Sequence, residues 1–198
     1  MKKYLCVILG IFCIGFTSIA CSNSMESGAA NSKPTPQTGD LVQVVGGLLP
    51  DYSLDDLISI SDNIVIGYVK EILPAQKGIR KESRSRVIYT DVLIEPQEVL
   101  LGEAAQDPII VRIWGGKVGN EVDMYENEPV FTMNEQVLVF ISKFSSVRAE
   151  DSDDYQPYYR VNGCILGKYN VRADRVYNEI TGESFVITTL KNKVALLK

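Results

Sequence analysis

NIVIGYVKEIL, residues 63–73, and VIYTDVLIEPQEVLL, residues 87–101, decide how this chain folds. In the first stretch Ile64, Ile66 and Tyr68 fall on one side, while Val65 and Val69 fall on the other. An alternation of period two is the mark of a strand whose faces meet different surroundings. Gly67 within it signals a bulge or a close approach of another backbone. The second stretch is long and rich in β-branched residues, which suit a pleated backbone. Pro96 interrupts it and lacks the N–H a ladder needs, so a bend, an edge position and a break into two strands all remain open.

The same texture continues outward. PIIVRIW, residues 108–114, reads as a strand stopped by Gly115 and Gly116, and EQVLVFI, residues 135–141, as another. Residues 158–161 and 167–171 read as a hairpin or two short strands, and residues 175–180 as one more. Residues 53–62 (SLDDLISISD) predict a short helix. Ser53 can cap it, Asp55 and Asp56 suit its positive end, and Leu54, Leu57 and Ile58 share a face. Leu190, Val194 and Leu197 have helical spacing in a basic tail, which predicts a packing helix. No internal repeat is present. The expected fold is mainly β, in an α+β sense: an OB-fold-like small antiparallel β-barrel with short flanking N- and C-terminal helices.

Residues 1–20 carry a different signal. Lys2 and Lys3 precede an apolar run through Phe16, and Thr17, Ser18, Ile19 and Ala20 form a small-residue tail before Cys21. This is the grammar of an export signal, and the run is short for a spanning helix. The tetrad Ser18-Ile19-Ala20-Cys21 resembles a bacterial lipobox, with Ser18 in place of the usual larger aliphatic residue. That resemblance implies a diacylglycerol on the Cys21 thiol, anchoring the protein to the outer face of a bacterial cell membrane. An uncleaved anchor and ordinary cleavage with secretion are the competing readings. Residues 22–40 are rich in Ser, Gly, Asn, Thr and Pro, and read as a flexible tether with a reach of about 25 Å. The expected organisation is therefore a signal over 1–20, a lipidated cysteine and tether over 21–41, and one domain over 42–198.

Composition narrows the chemistry. Without residues 1–20 the chain holds 18 basic and 25 acidic residues, a balance of −7. An acidic field opposes nucleic-acid binding, so no nucleic-acid partner is expected. The sequence has no histidine. That removes Ser-His-Asp and Cys-His catalysis and histidine-based zinc sites. Cys164 is the one cysteine beyond residue 21, so the domain has no internal disulfide and needs a core of its own. Cys164 itself reads as a small buried hydrophobe.

The order of strands, with Glu98-Val99-Leu100-Leu101-Gly102 closing the second and Asn134-Glu135-Gln136 opening the fourth, resembles the netrin-like domain over roughly residues 62–142. This is the OB-fold family that includes the tissue inhibitors of metalloproteinases. The whole chain also resembles a group of bacterial lipoproteins of unassigned role. The resemblance implies a barrel and assigns no functional residue. The family's framework disulfides are missing, and the cysteine at the position of its zinc-directed terminus, Cys21, would be acylated.

Candidate sites come from charge and aromatic clusters. Residues 77–86 (KGIRKESRSR) hold five cations and one anion, in a loop that lines the ligand face of OB barrels. Arg80, Lys81, Arg84 and Arg86 are candidate ligands for a phosphate, an acidic wall polymer or a headgroup; the competing and favoured reading is a mobile, solvated hairpin loop, since charge runs usually face solvent. Tyr155, Tyr158 and Tyr159 form a candidate aromatic patch for sugar or peptide. Glu121, Asp123, Glu126 and Glu128 in a long loop, and the acids of residues 150–154, lack the EF-hand spacing and read as surface acid. Trp114-Gly115-Gly116-Lys117 lacks P-loop spacing. No catalytic residue, metal or cofactor is assigned. The expected function is a non-enzymatic, membrane-anchored module that binds a protein or a cell-envelope ligand. The alternative is a carboxylate-dependent hydrolase of envelope glycans.

Overall fold

A computed structural model describes residues 33–103 and 107–196. Cys21 and the signal lie outside them, as does Leu197. The strands in chain order are β1 (Leu41–Val45), β2 (Asn63–Ile72), β3 (Gln76–Arg80), β4 (Arg86–Leu101), β5 (Ile109–Trp114), β6 (Gly116–Val118) and β7 (Glu121–Tyr125). They continue as β8 (Gln136–Phe144), β9 (Val147–Ala149), β10 (Tyr158–Val161), β11 (Lys168–Arg172), β12 (Arg175–Tyr177) and β13 (Ser184–Val186). Helix α1 (Leu54–Ile60) precedes β2, and α2 (Ile187–Leu196) ends the described chain.

Five strands close into a ring. β2 pairs with β4, β4 with β5, β5 with β10, β10 with β8, and β8 returns to β2. The β5–β10 pairing is parallel, at Tyr159 opposite Val111; the other four are antiparallel. This is the OB-like barrel expected, closed by one parallel seam where an antiparallel sheet was expected throughout. The alternation read from the sequence sets its inside. Val65, Val69, Val92, Ile94, Val111 and Val139 point inward with their neighbours and form a dry core. Each such side chain contributes about 1.5–3 kcal/mol on burial.

Gly67 and Pro96 face each other at a register shift between β2 and β4. A Cβ at Gly67 would lie 2.5 Å from the Glu95 carbonyl oxygen. Glycine lets the two backbones touch there, and β4 passes through Pro96 as one continuous, irregular strand.

The outward side of β2 and β8 forms a second apolar layer. Ile64, Ile66, Leu138 and Phe140 meet Leu57 and Ile58 of α1, Leu190 and Val194 of α2, and Tyr169 of β11. Residues 158–161 and 168–172 are two separate strands, not a hairpin. Both run antiparallel to β8, with a short 3₁₀ helix (Cys164–Gly167) between them. Cys164 sits in that excursion with φ of 56° and is half-buried, where a buried hydrophobe was expected.

Two segments read as loops are strands. Gln76–Arg80 forms β3, and Glu121, Asp123 and their neighbours form β7, which pairs with β6 and with β1. Residues 33–40, read as tether, make tertiary contacts. The Lys33 ammonium donates to the Glu126 carbonyl at 2.7 Å, and Lys117 pairs with Asp40 at 2.7 Å. No helix among the described residues is long and apolar enough to cross a membrane.

Helix α1 carries a reciprocal cap. The Asp56 N–H donates to Ser53 Oγ at 3.2 Å, and the Ser53 N–H donates to the Asp56 carboxylate at 2.9 Å. Hydrogen bonds from the Ser53 hydroxyl and then its backbone hold the Asp56 carboxyl below its ordinary range. The folded pKa lies below the unfolded one, so this contribution is present above the unfolded value, about 3.9, and disappears as pH falls through the folded value. Urea midpoints measured from neutral pH downward should therefore fall more shallowly for Asp56→Asn than for the parent chain; an equal slope would remove Asp56 from the acid response.

Candidate functional site

The outer face of β4, β5 and β10 is built by the residues between the inward ones. Tyr89 and Asp91 come from β4, Ile110, Arg112 and Trp114 from β5, and Tyr158 and Arg160 from β10. The register sets Asp91 beside Arg112 and Tyr89 beside Trp114. Arg112 donates from Nε and Nη2 to the two Asp91 oxygens, both at 2.7 Å. Its Nη1 donates to the Val147 carbonyl at 3.1 Å. The guanidinium lies 3.7 Å from the centre of the Tyr89 ring and 4.3 Å from that of Tyr158. Four partners, Asp91, Val147, Tyr89 and Tyr158, therefore hold one buried cation.

Two turns of the chain cover this face. β3 precedes β4 in one excursion, β9 follows β8 in another, and the two pair with each other through Gly78 and Ala149. In an OB barrel these are the connections that flank the ligand face. A Cβ at Gly78 would lie 2.7 Å from both Tyr89 Cε1 and Val147 Cγ1, so only glycine lets β3 lie this flat. Val87, Tyr89, Val147 and Tyr158 form the small apolar core beneath.

Where the two turns meet, they leave an open cleft of about 330 Å³ lined by Arg80, Lys81, Glu82, Ser83, Phe144 and Ser146. Phe144 is 43% exposed and stacks on Tyr158, with centroids 6.3 Å apart. The Tyr158 and Ser146 hydroxyls are 2.8 Å apart. Lys81 lies 5.5 Å over the Tyr155 ring, and its N–H donates to the Ser146 carbonyl at 2.8 Å. The Arg80 guanidinium is 4.6 Å from the centre of the Trp114 ring, which keeps its stem against the barrel. The lining carries two cations against one carboxylate, Glu82, together with serine hydroxyls and an exposed ring, a set with a net positive charge that suits an anionic, hydroxyl-rich ligand.

The expected site residues thus separate. Arg80 and Lys81 line the cleft, and Tyr155 flanks Lys81. Arg84 sits on the tight turn between β3 and β4 with φ of 57°. Arg86 points away, to Glu150 at 2.8 Å. Tyr158 and Tyr159 are only 1% and 2% exposed, so neither belongs to a solvent-facing patch: Tyr158 is the floor under Phe144, and Tyr159 is inside the barrel. Phe144 and Ser146 were not foreseen. The sequence places Phe140 and Phe144 four residues apart, so on one face of a strand, but the strand was expected to end at residue 141 and nothing in the chain marks Phe144 as the exposed one.

A second cleft, about 250 Å³, lies beside Pro129 and Val130 and is lined by Glu126, Glu128 and Glu179 among others. Burial pushes the Glu128 carboxyl up, against the Arg160 guanidinium at 2.6 Å. Arg160 is itself lowered by burial, lies 4.3 Å over Trp114, and among the described residues its Nε has no partner. Glu179 accepts from Asn170 at 2.6 Å and faces Arg172 at 3.5 Å. Burial first, and then Glu128, push the nearby Cys164 thiol up, which keeps it protonated and a weak nucleophile at neutral pH. Two acids of β7 tie it to β3 and β4. Glu121 pairs with Lys77 at 2.5 Å, and Asp123 accepts from the Ile88 N–H at 3.0 Å. Among the described residues no group of three or more His, Cys, Asp or Glu is placed to hold a metal ion. The chain matches no family model, no curated protein and no solved structure.

Proposed function

We propose that this chain is a lipid-anchored, extracytoplasmic binding module that presents the Arg80–Lys81–Phe144 cleft to an acidic polymer of the bacterial cell envelope. The supporting observation is the meeting of the β3–β4 and β8–β9 turns, which sets two cations beside an exposed aromatic ring in a chain of net charge −5. Cations that stand out of an acidic field select a polyanion by position rather than by bulk charge. Stacking on Phe144 adds affinity for sugar or glycerol carbons. Cys21 would hold the module at the membrane. The tether between Cys21 and the first packed residues gives it room to reach the polymer. The lipoprotein and netrin-like resemblances fit this reading.

The test is cosedimentation of the full-length mature protein with purified cell-wall sacculi, with and without their anionic polymer. Binding should require the polymer, weaken with salt, and fall about fivefold for Lys81→Glu, the equivalent of about 1 kcal/mol for an exposed ion pair. Binding that ignores both Lys81→Glu and Phe144→Ser overturns the cleft as the site. The supernatant distinguishes the second reading, which the raised Glu128 carboxyl beside Glu126 motivates: soluble glycan fragments that vanish with Glu126→Gln would make the protein a hydrolase. Mass spectrometry of the mature N-terminus tests the anchor, and an unmodified Cys21 would refute it.

A further inference from the structure

Strand β1 has one used edge and one open edge. In the three-stranded sheet β1-β7-β6 it is outermost and runs parallel to β7. The Leu41 N–H donates to the Asn120 carbonyl at 2.7 Å, and the Val45 carbonyl accepts from the Glu126 N–H at 3.0 Å. In a parallel ladder alternate residues bond to the same neighbour. Leu41, Gln43 and Val45 therefore turn their peptide groups toward β7. The N–H and C=O of Val42 and Val44 point out of the sheet, and the described residues place no strand there.

Edge strands ordinarily carry a lysine, a proline or a bulge that blocks further pairing. The opposite edge, β6, is three residues long and holds Lys117. β1 and the segment after it, residues 41–50 (LVQVVGGLLP), hold no charge, and the one proline stands last. Their side chains are open: Leu41 is 65% exposed, Val44 58% and Leu48 99%. An uncharged, ladder-ready edge on an acidic protein lets two copies meet without opposing like charges.

We infer that β1 pairs antiparallel with β1 of a second copy, about a two-fold axis through Gln43. The residue pattern is self-complementary about that point. Val42 opposes Val44 of the second copy, Leu41 opposes Val45, and Gln43 meets Gln43 with side chains able to hydrogen-bond. Val42 and Val44 then exchange both N–H···O bonds with their counterparts, and every apolar side chain meets another. Such an interface is isologous and closes at the dimer. One strand pair with its flanking loop is smaller than the roughly 1,600 Å² of a standard interface, so the dimer is concentration-dependent.

Sedimentation equilibrium of residues 22–198, which lack the apolar signal and every cysteine but Cys164, up to millimolar concentration, should show a monomer–dimer equilibrium. Val44→Pro removes only an outward N–H, and should raise the dissociation constant about tenfold or more while circular dichroism stays unchanged. Val44→Lys, which keeps the backbone donor, should weaken the dimer as well. Oxidised Gln43→Cys should give a disulfide-linked dimer, since facing Cα atoms across a two-fold pair are about 4.5–5.5 Å apart, whereas Leu41→Cys should not. A monomer at every concentration overturns the inference. So does a dimer indifferent to both Val44 variants, or a monomer that instead takes up an added apolar peptide in extended form.

Discussion

Arg112→Ala is expected to cost about 3–5 kcal/mol of stability, the penalty for leaving a buried charge without its partner. The pair it breaks is bidentate, and the Arg112 and Asp91 side chains are 8% and 10% exposed. Asp91 would keep its charge under β3 and β9 with no counter-ion, and the Val147 carbonyl would lose its donor. Asp91→Ala should cost a similar amount by stranding the guanidinium. Joint replacement, Arg112→Met with Asp91→Leu, should recover most of the loss, because a well-packed apolar pair avoids desolvating either charge. Urea denaturation measures all three; an Arg112→Ala loss below 1 kcal/mol would show that water reaches the pair. The same substitution bears on the cleft. Arg112 holds Val147, the first residue of β9, and Ser146 precedes it, so loosening Arg112 should also weaken polymer binding.

Phe140→Ala is expected to lower stability by about 3–5 kcal/mol, from lost transfer energy and the cavity left behind. Phe140 is fully buried on the outer side of β8, beneath the α1 and α2 layer. Its ring meets that of Tyr169 edge-on, with centroids 6.0 Å apart and planes at 63°. Tyr169 in turn donates to Glu183 at 2.8 Å, so its hydroxyl cannot follow the ring into a cavity without losing that bond. Phe144 shares the strand and the face but is open to solvent. Phe144→Ser should cost about 1 kcal/mol for the lost stack on Tyr158, well short of Phe140→Ala, and should weaken ligand binding severalfold. The contrast separates core from site on one strand, by denaturation for the first and cosedimentation for the second. Equal stability losses for the two variants would mean that Phe144 is a packing residue.

Much of the barrel was legible in the chain. β2, β4, β5 and β8 were read from alternation or from β-branched runs, because a strand with one side in a dry core must repeat every two residues. The α1 cap was legible for a similar reason: Ser53 and Asp56 satisfy each other within one turn and need nothing from elsewhere. The site was half legible. Arg80 and Lys81 stood out as charge, but their neighbours Phe144 and Ser146 come from a strand end far along the chain.

What the chain determined by itself was whatever local physics decides: periodicity, caps, the absence of histidine, and the single cysteine of the domain. The tertiary structure decided everything that depends on a distant partner. β1, β3, β6, β7 and β9 are only three to five residues long. They exist because another strand supplies their hydrogen bonds, and charge, glycine or tether-like neighbours hide what little period so few residues can show. Asp91 and Arg112 look like surface charges until β3 and β9 cover them. Tyr158 and Tyr159 sit in a polar stretch that reads as exposed. Their burial follows from one parallel register, Tyr159 opposite Val111, which turns Tyr159 into the barrel and lays Tyr158 under the cleft.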